Sequence, residues 1–179
     1  PYLQQQLGGK TAIGRHIVEV QTTFSKIFNL EQNIATDGSQ FNHLFSDGDE
    51  FFLGEIPVRI IHTPGHTPAC LSYLIGDAVF VGDTLFMPDY GSARCDFPGG
   101  DAVQLYQSVQ KLYALPDTTR MFLCHDYLPD TRKNYQYETT VGEQRRSNIH
   151  LHQGISQEEF VLMRQKRDAT LAMPQLIIP

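Results

Sequence analysis

The side chains best suited to do chemistry are His66, Asp83 and His125, because each stands just past a run of residues that reads as a buried strand. Ile60-Ile61-His62-Thr63 leads through Pro64-Gly65 to His66, and Val79-Phe80-Val81 leads through Gly82 to Asp83. Proline fixes φ and glycine accepts turn conformations closed to other residues, so both candidates should leave the sheet at its rim on a rigid support. A neutral imidazole and a carboxylate at neighbouring strand ends are two of the three ligands of a 2-His-1-carboxylate metal site. Both suit Fe(II) or Zn(II), and with no cysteine expected among the ligands a structural zinc knot is disfavoured. On residue type alone, His66 could equally be a hydrogen-bonding surface histidine and Gly82-Asp83 a plain turn. The pairing at two strand ends is what favours a metal.

The same segments carry a resemblance. Thr63-Pro64-Gly65-His66-Thr67 with Gly82-Asp83-Thr84-Leu85-Phe86 resembles the central signature of the metallo-β-lactamase fold, in particular its glyoxalase II and persulfide dioxygenase branch. Leu123-Cys124-His125-Asp126-Tyr127 is similar to that branch's late His at a strand end. Gly91-Ser92-Ala93-Arg94-Cys95-Asp96-Phe97 resembles the Gly-x-x-Arg-x-Asp-Phe segment of persulfide dioxygenases. The resemblance runs from Thr11 to His150. It implies an α/β (α+β) αββα sandwich and a mononuclear Fe(II) site built from His66, Asp83 and a His of a first motif, His-x-His-x-Asp-His. That motif is absent from these 179 residues. In the family it precedes a helix resembling Pro1-Tyr2-Leu3-Gln4-Gln5-Gln6-Leu7. The expectation is therefore one domain over residues 1–179, the C-terminal portion of the sandwich with an incomplete N-terminal half.

The resemblance makes His125 the ligand of a second metal in the dinuclear glyoxalase II branch, whereas in the mononuclear branch the position stays near the metal without binding it. Here it reads as a catalytic group hydrogen-bonded to metal-bound water or substrate, and the alternative is a plain strand-end His. His62 is a conceivable substitute ligand, but across the Pro-Gly turn from His66 it should face the other way. Arg94 reads as the substrate anchor, since a guanidinium on an active-site loop binds a carboxylate or persulfide anion through charge-assisted hydrogen bonds. Asp96 would hold it in place; the alternative is an ordinary loop salt bridge. Cys95 beside Arg94 could have a lowered pKa and carry sulfur, or be a small buried filler. Tyr127 is a candidate substrate contact, and Asp126 and Tyr127 are candidates to orient His125. Arg145, Arg146 and Asn148 lie in a segment that contacts the thiol substrate in related enzymes, in a pattern too loose to assign roles.

Composition bounds the partners. Hydrophobic residues make up 41% and charged residues 19%, ordinary for a globular protein. A net charge of −6 argues against nucleic-acid binding, because no basic stripe is present to neutralise phosphates. No apolar run is long enough to span a bilayer. Three scattered cysteines form no disulfide framework and suit a reducing compartment, so the cytoplasm is expected. The resemblance implies relatives among which a homodimer is common, and the sequence leaves the oligomeric state open.

The supporting elements follow from the pattern. Tyr2–Leu7 ends a helix at Gly8-Gly9, Thr11–Ile13 is a short strand, and Thr22–Leu30 a helix with Phe24, Ile27 and Phe28 on one face. Strands are expected at 50–53, 56–62, 70–75 and 78–81, with Gly54-Glu55 and Gly76-Asp77 as hairpin turns. Residues 85–100 form a long loop on the site side. Asp101 caps a helix to Ala114, Met121–Cys124 is a last strand delivering His125, and Ser147–His152 is a connection. Ser156 and Glu159 form a capping box for a helix over 157–171, and the apolar tail Met173–Pro179 should dock on the body. The reading these features support is an Fe(II)-dependent dioxygenase acting on a thiol persulfide and O₂. The alternatives are a Zn(II) thioester hydrolase of the glyoxalase II type, and a metal-poor piece without activity.

Overall fold

The computed structural model describes residues 2–30, 32 and 34–172; the expected docking of 173–179 lies outside them. Its elements are helix α1 (Tyr2–Leu7), β1 (Ala12–Gly14), α2 (Ile17–Ile27), β2 (His43–Phe45), β3 (Glu50–Leu53), β4 (Ile56–His62), β5 (Leu71–Ile75) and β6 (Ala78–Phe80). A single 3-10 turn follows at Gly82–Thr84, then α3 (Ala102–Tyr113), β7 (Arg120–Phe122), β8 (Glu138–Thr140), α4 (Val141–Ser147) and α5 (Gln157–Asp168).

Strands β3 to β8 form one six-stranded sheet in sequence order. All neighbours pair antiparallel except β6 and β7, which run parallel because α3 crosses between them. The two hairpins close with Leu53 opposite Ile56 and Ile75 opposite Ala78, so Gly54-Glu55 and Gly76-Asp77 are the turns. A separate parallel pair, β1 with β2, lies apart from this sheet.

Alternation along the strands sorts the apolar residues to two faces. Ile61, Val79, Met121 and Leu123 meet the α3 stripe Leu105, Val109 and Leu112, together with Val141 of α4 and Phe160 of α5, in the main core. Ile60 and Leu71 point the opposite way and pack with Phe45 of β2, flanked by Phe51 and Tyr73. Farther along that second face Phe80 stacks on Phe122 at 4.9 Å and stays 42% exposed. This is a mixed α/β architecture with helices packed on a sheet.

Helix starts follow their caps. The Asp101 side chain accepts from Gln104 N, and Ser156 with Glu159 forms a reciprocal capping box. Three differences from the sequence reading have local causes. Helix α2 begins at Ile17, not Thr22, from an N-cap His16 whose side chain makes no cap bond and so gives no start signal. Strand β8 is too short to alternate visibly and is held by pairing to β7, with Arg120 Nε donating to Glu138 at 2.7 Å. Helix α4 contains Gly142 and little apolar periodicity; it starts where the Thr140 hydroxyl accepts from Glu143 N.

Candidate metal centre

His66 reaches the site because Gly65 lets the chain pass directly over the start of α3. Gly65 has φ 135°, and a Cβ there would meet the Leu105 backbone at 2.4 Å. Pro64 and Gly65 are tied to α3 by their carbonyls, which accept from Ser108 Oγ at 2.7 Å and Asp101 N at 2.8 Å. Asp83 stands on the 3-10 turn just past β6, and Cys124 and His125 just past β7. Parallel pairing of β6 and β7 brings these two strand ends side by side.

The donors converge on Asp83. His66 Nε2 lies 4.0 Å from Asp83 Oδ2, and His125 Nε2 lies 3.2 Å from Asp83 Oδ1. Cys124 Sγ donates to the same Oδ1 at 2.9 Å. One donor atom each from Asp83, Cys124 and His125 fall within 4.8 Å of one another. His66 Nδ1 donates to the Arg94 carbonyl oxygen at 2.9 Å, which leaves Nε2 as the lone-pair nitrogen on the Asp83 side. Two imidazoles, a carboxylate and a thiol, with His66 on the Oδ2 side of Asp83 and Cys124 and His125 on its Oδ1 side, include donors that fit Fe(II) or Zn(II). The sequence reading places no cysteine here, and the structure adds the Cys124 thiol beside Asp83 and His125. Packing around the thiol, followed by its hydrogen bond to Asp83, pushes Cys124 up to about 12. His62 turns away as expected: its Nε2 bonds the Pro68 carbonyl at 2.8 Å and its ring stacks on His16.

A cleft of 360 Å³ opens beside His66, Asp83 and His125. Phe86, Tyr90, Phe97 and Tyr127 give it aromatic walls, and Ser92, Arg94, Arg164 and Arg167 give it polar ones. Tyr127 stacks on Tyr90 at 4.8 Å and meets Phe86 edge-on at 5.2 Å. Arg94 lines the cleft with its guanidinium locked to Asp96 by two 2.6 Å hydrogen bonds, while Nη1 donates to the Ala172 carbonyl at 3.0 Å. Asp96 is held below the usual carboxylate range, chiefly by those Arg94 bonds.

Cys95 is a correction. Its side chain is buried away from this cleft, against a separate cavity between the loop and α5, and burial pushes the thiol up to about 12. Of the two readings of Cys95, this placement fits the small buried filler. Asp126 also departs from its expected role. Its carboxylate faces Arg132, at 2.6 and 2.7 Å, and accepts from Gln136 N and Leu128 N. Those contacts, Arg132 first, hold Asp126 at about 2. Arg132 also grips Asp89 at 2.9 and 3.2 Å. One guanidinium thus joins the loop bearing His125 and Tyr127 to the loop bearing Tyr90.

A second buried network supports the Arg94 loop from α5. Arg164, 1% exposed, pairs with Asp168 at 2.7 Å and donates to the Ser92 carbonyl at 3.2 Å. Asp168 accepts from Cys95 N at 2.9 Å. His150 Nδ1 accepts from Ser92 N at 3.0 Å, and burial followed by the nearby Arg164 and Arg167 charges lowers it to about 4. Sequence reasoning missed Arg132, Arg164 and Asp168. Only the Arg164–Asp168 spacing, one helical turn apart, carried a signal. Asn148 is a buried backbone brace that donates to Gly91 O and accepts from His150 N and Leu151 N. Arg145 is tied to the Tyr113 carbonyl and Asp117, away from the cleft.

The match to known proteins covers this framework. Residues 2–125 match the metallo-beta-lactamase superfamily. The chain belongs to that superfamily. A probable metallo-hydrolase of Burkholderia pseudomallei is 51% identical over 100% of the chain and 64% of the relative. Glyoxylase B2 of Dictyostelium discoideum is 53% identical over 95% of the chain and 58% of its own length. The chain therefore spans roughly three fifths of these relatives. The crystal structure of ETHE1 from Myxococcus xanthus superposes with a TM-score of 0.69 at 37% identity, covering 78% of this chain and 57% of that one. The mitochondrial persulfide dioxygenase ETHE1 of Bos taurus is 35% identical over 78% of the chain and 52% of its length.

Proposed function

We propose that the protein serves an Fe(II)-dependent persulfide dioxygenase, oxidising a small thiol persulfide with O₂ to sulfite and free thiol. The observation that carries this reading is Arg94, whose carbonyl orients His66 while its guanidinium, held by Asp96, lines the same cleft. The sequence and structural similarity to persulfide dioxygenase over 78% of the chain supports it. Persulfide, O₂ and water give thiol, sulfite and two protons, so atoms balance without a further reductant. Iron held by His66 and Asp83, with a further ligand, would supply redox chemistry and open positions for sulfur and oxygen. The chain's own residues do the rest. Arg94 offers its remaining N–H groups to an anionic substrate group. Phe86, Tyr90, Phe97 and Tyr127 exclude water from one side of the cleft. His125, beside Asp83, is placed to exchange a proton with substrate as catalytic acid or base.

A second reading has its own observation. His125 Nε2 lies 3.2 Å from Asp83 Oδ1, where the second metal of a thioester hydrolase of the glyoxalase II type would need its histidine. Full-length protein reconstituted with Fe(II) or Zn(II) should be assayed for O₂ uptake with glutathione persulfide and for thioester hydrolysis. O₂ uptake only in the iron form supports the dioxygenase; hydrolysis in the zinc form with no O₂ uptake in either overturns it. A cytoplasmic location and a homodimer belong to the same proposal.

A further inference from the structure

We infer that a second cavity, of 370 Å³ between α3 and the connection from α4 to α5, is a binding site for a small organic carboxylate held by Tyr113 and Arg145. Among the described residues that line it, none lines the metal cleft, so the inference stands apart from the reaction performed there. Tyr106, Gln110 and Tyr113 recur at i, i+4 and i+7 and give one face of α3 to the cavity. The turn 152–155 supplies another wall. It closes on itself where Ile155 N donates to the His152 carbonyl at 3.2 Å, and Tyr106 Oη donates to the Ile155 carbonyl at 3.1 Å. Gln153 N donates to the Arg145 carbonyl at 2.6 Å, which ties the turn to α4.

Two polar atoms of this wall lack partners. The Tyr113 hydroxyl and Arg145 Nε are both buried, and neither makes a hydrogen bond. Tyr113 as a whole is 7% exposed. Protein interiors rarely leave such groups unpaired, because each has given up its bonds to water. The rest of the Arg145 guanidinium is engaged: Nη1 pairs with Asp117 at 3.0 Å and Nη2 donates to the Tyr113 carbonyl. Those bonds fix the guanidinium plane and with it the direction of Nε–H. Nε can only donate, so the missing group is an acceptor, and the phenol can donate to the same group. The two donors are neighbours, since the Arg145 charge opposes the upward push that burial gives the Tyr113 phenol.

Charge and shape set the class of ligand. None of the described lining side chains is acidic, so an anion meets no like charge in the wall. Asp117 already takes part of the Arg145 charge, which suits a monoanion better than a phosphate dianion. Tyr106, Leu151 and Ile155 offer apolar surface to the body of the ligand. Both unpaired atoms are closed to water as the turn stands, so the ligand enters with an outward shift of the exposed residues 152–154, where Gly154 has φ 103°.

The probe is benzoate, with benzamide as its neutral counterpart and inorganic phosphate as the dianion. Full-length, zinc-loaded protein is titrated with each while proton–nitrogen NMR follows the Arg145 Nε–H signal, assigned through its own side-chain connectivities. Benzoate should shift that signal saturably, benzamide should leave it unmoved, and phosphate should bind more weakly than benzoate. Tyr113→Phe should weaken benzoate binding by about 10-fold. It should not lower the melting temperature of the unliganded protein, since the hydroxyl it removes makes no bond inside the fold. Arg94→Lys, in the metal cleft, should leave the affinity unchanged. An Arg145 signal that benzoate does not move, or that benzamide moves equally, overturns the site and leaves only ordered water there. Unchanged affinity in Tyr113→Phe, or a lower melting temperature for that variant, overturns the assignment of the hydroxyl as a ligand donor. Affinity lost in Arg94→Lys would put the benzoate in the metal cleft and overturn the site as well. Tighter binding of phosphate overturns the carboxylate class.

Discussion

The carbonyl oxygen of Arg94 accepts the Nδ1 proton of His66 at 2.9 Å, and the next peptide N–H, that of Cys95, donates to Asp168 at 2.9 Å. Helix α5 is thereby coupled to the tautomer and orientation of a metal-ligand candidate through one short stretch of backbone. A ring nitrogen fixed in this way raises the basicity of its opposite nitrogen and spares the cost of orienting it at binding.

Replacing Asp168 tests that coupling. Asp168→Ala leaves the guanidinium of Arg164 buried without its carboxylate, which should destabilise the fold by about 3–5 kcal/mol. It also frees the Cys95 N–H, and metal affinity on the His66 side should fall by about 10–100-fold, as for other supporting residues of metal ligands. Urea unfolding and metal titration measure the two effects separately. Stability loss with unchanged metal affinity would confine Asp168 to a structural role.

Arg94 should act on substrate binding. Arg94→Lys keeps the charge but loses the fork that Asp96 grips, so KM should rise by about 10-fold while kcat changes little, given roughly 1.4 kcal/mol per decade. Asp96→Asn should move KM in the same direction, since it frees the guanidinium that Asp96 holds. Steady-state kinetics with the persulfide would show this, and a fall in kcat at constant KM would argue against an anchoring role.

Much of this was legible in the sequence. His66 and Asp83 were readable because Pro64-Gly65 and Gly82 end apolar runs abruptly, and strand ends are where a rigid sheet can hold a ligand. Asp96 was readable beside Arg94 because the two lie two residues apart and carry opposite charge. Cys124 was not, because its role depends on β6 and β7 pairing in parallel, a contact between strands some 40 residues apart that periodicity does not encode. Arg132, Arg164 and Asp168 stayed hidden for a related reason. A lone Arg in a polar loop, or a charged pair on a helix, looks like solvated surface until tertiary packing buries it.

Arg132 gives the next test. Its guanidinium holds Asp126, whose side chain is 6% exposed, and Asp89 together. Arg132→Ala should cost about 1–3 kcal/mol, because the part-buried Asp126 carboxylate loses its charged donor but keeps its Gln136 and Leu128 N–H bonds. The Tyr90–Tyr127 stack that depends on it should loosen. Asp126→Asn in the same background should recover part of the loss, because the stranded charge is then gone. Thermal unfolding of the single and double variants decides this, and equal stability of Arg132→Ala and the wild type would show that the network contributes little.

The pH dependence of stability should carry the mark of His150. Its pKa is lowered from 6.5 to about 4, chiefly by burial and then by Arg164 and Arg167. A histidine depressed in the folded state is neutral there while the unfolded chain binds the proton, so the unfolded state takes up more protons between these values. Its contribution is complete above pH 6.5 and lost as pH falls towards 4. Protonation would also remove the Nδ1 lone pair that accepts from Ser92 N, releasing the start of the Arg94 loop. His150→Asn, whose amide oxygen can still accept that bond, should flatten this part of the profile while retaining the fold at neutral pH. The midpoint of urea unfolding across the interval measures it. A wild-type profile as flat as the variant's would mean that the ring is reached by water and does not hold the loop in the neutral form.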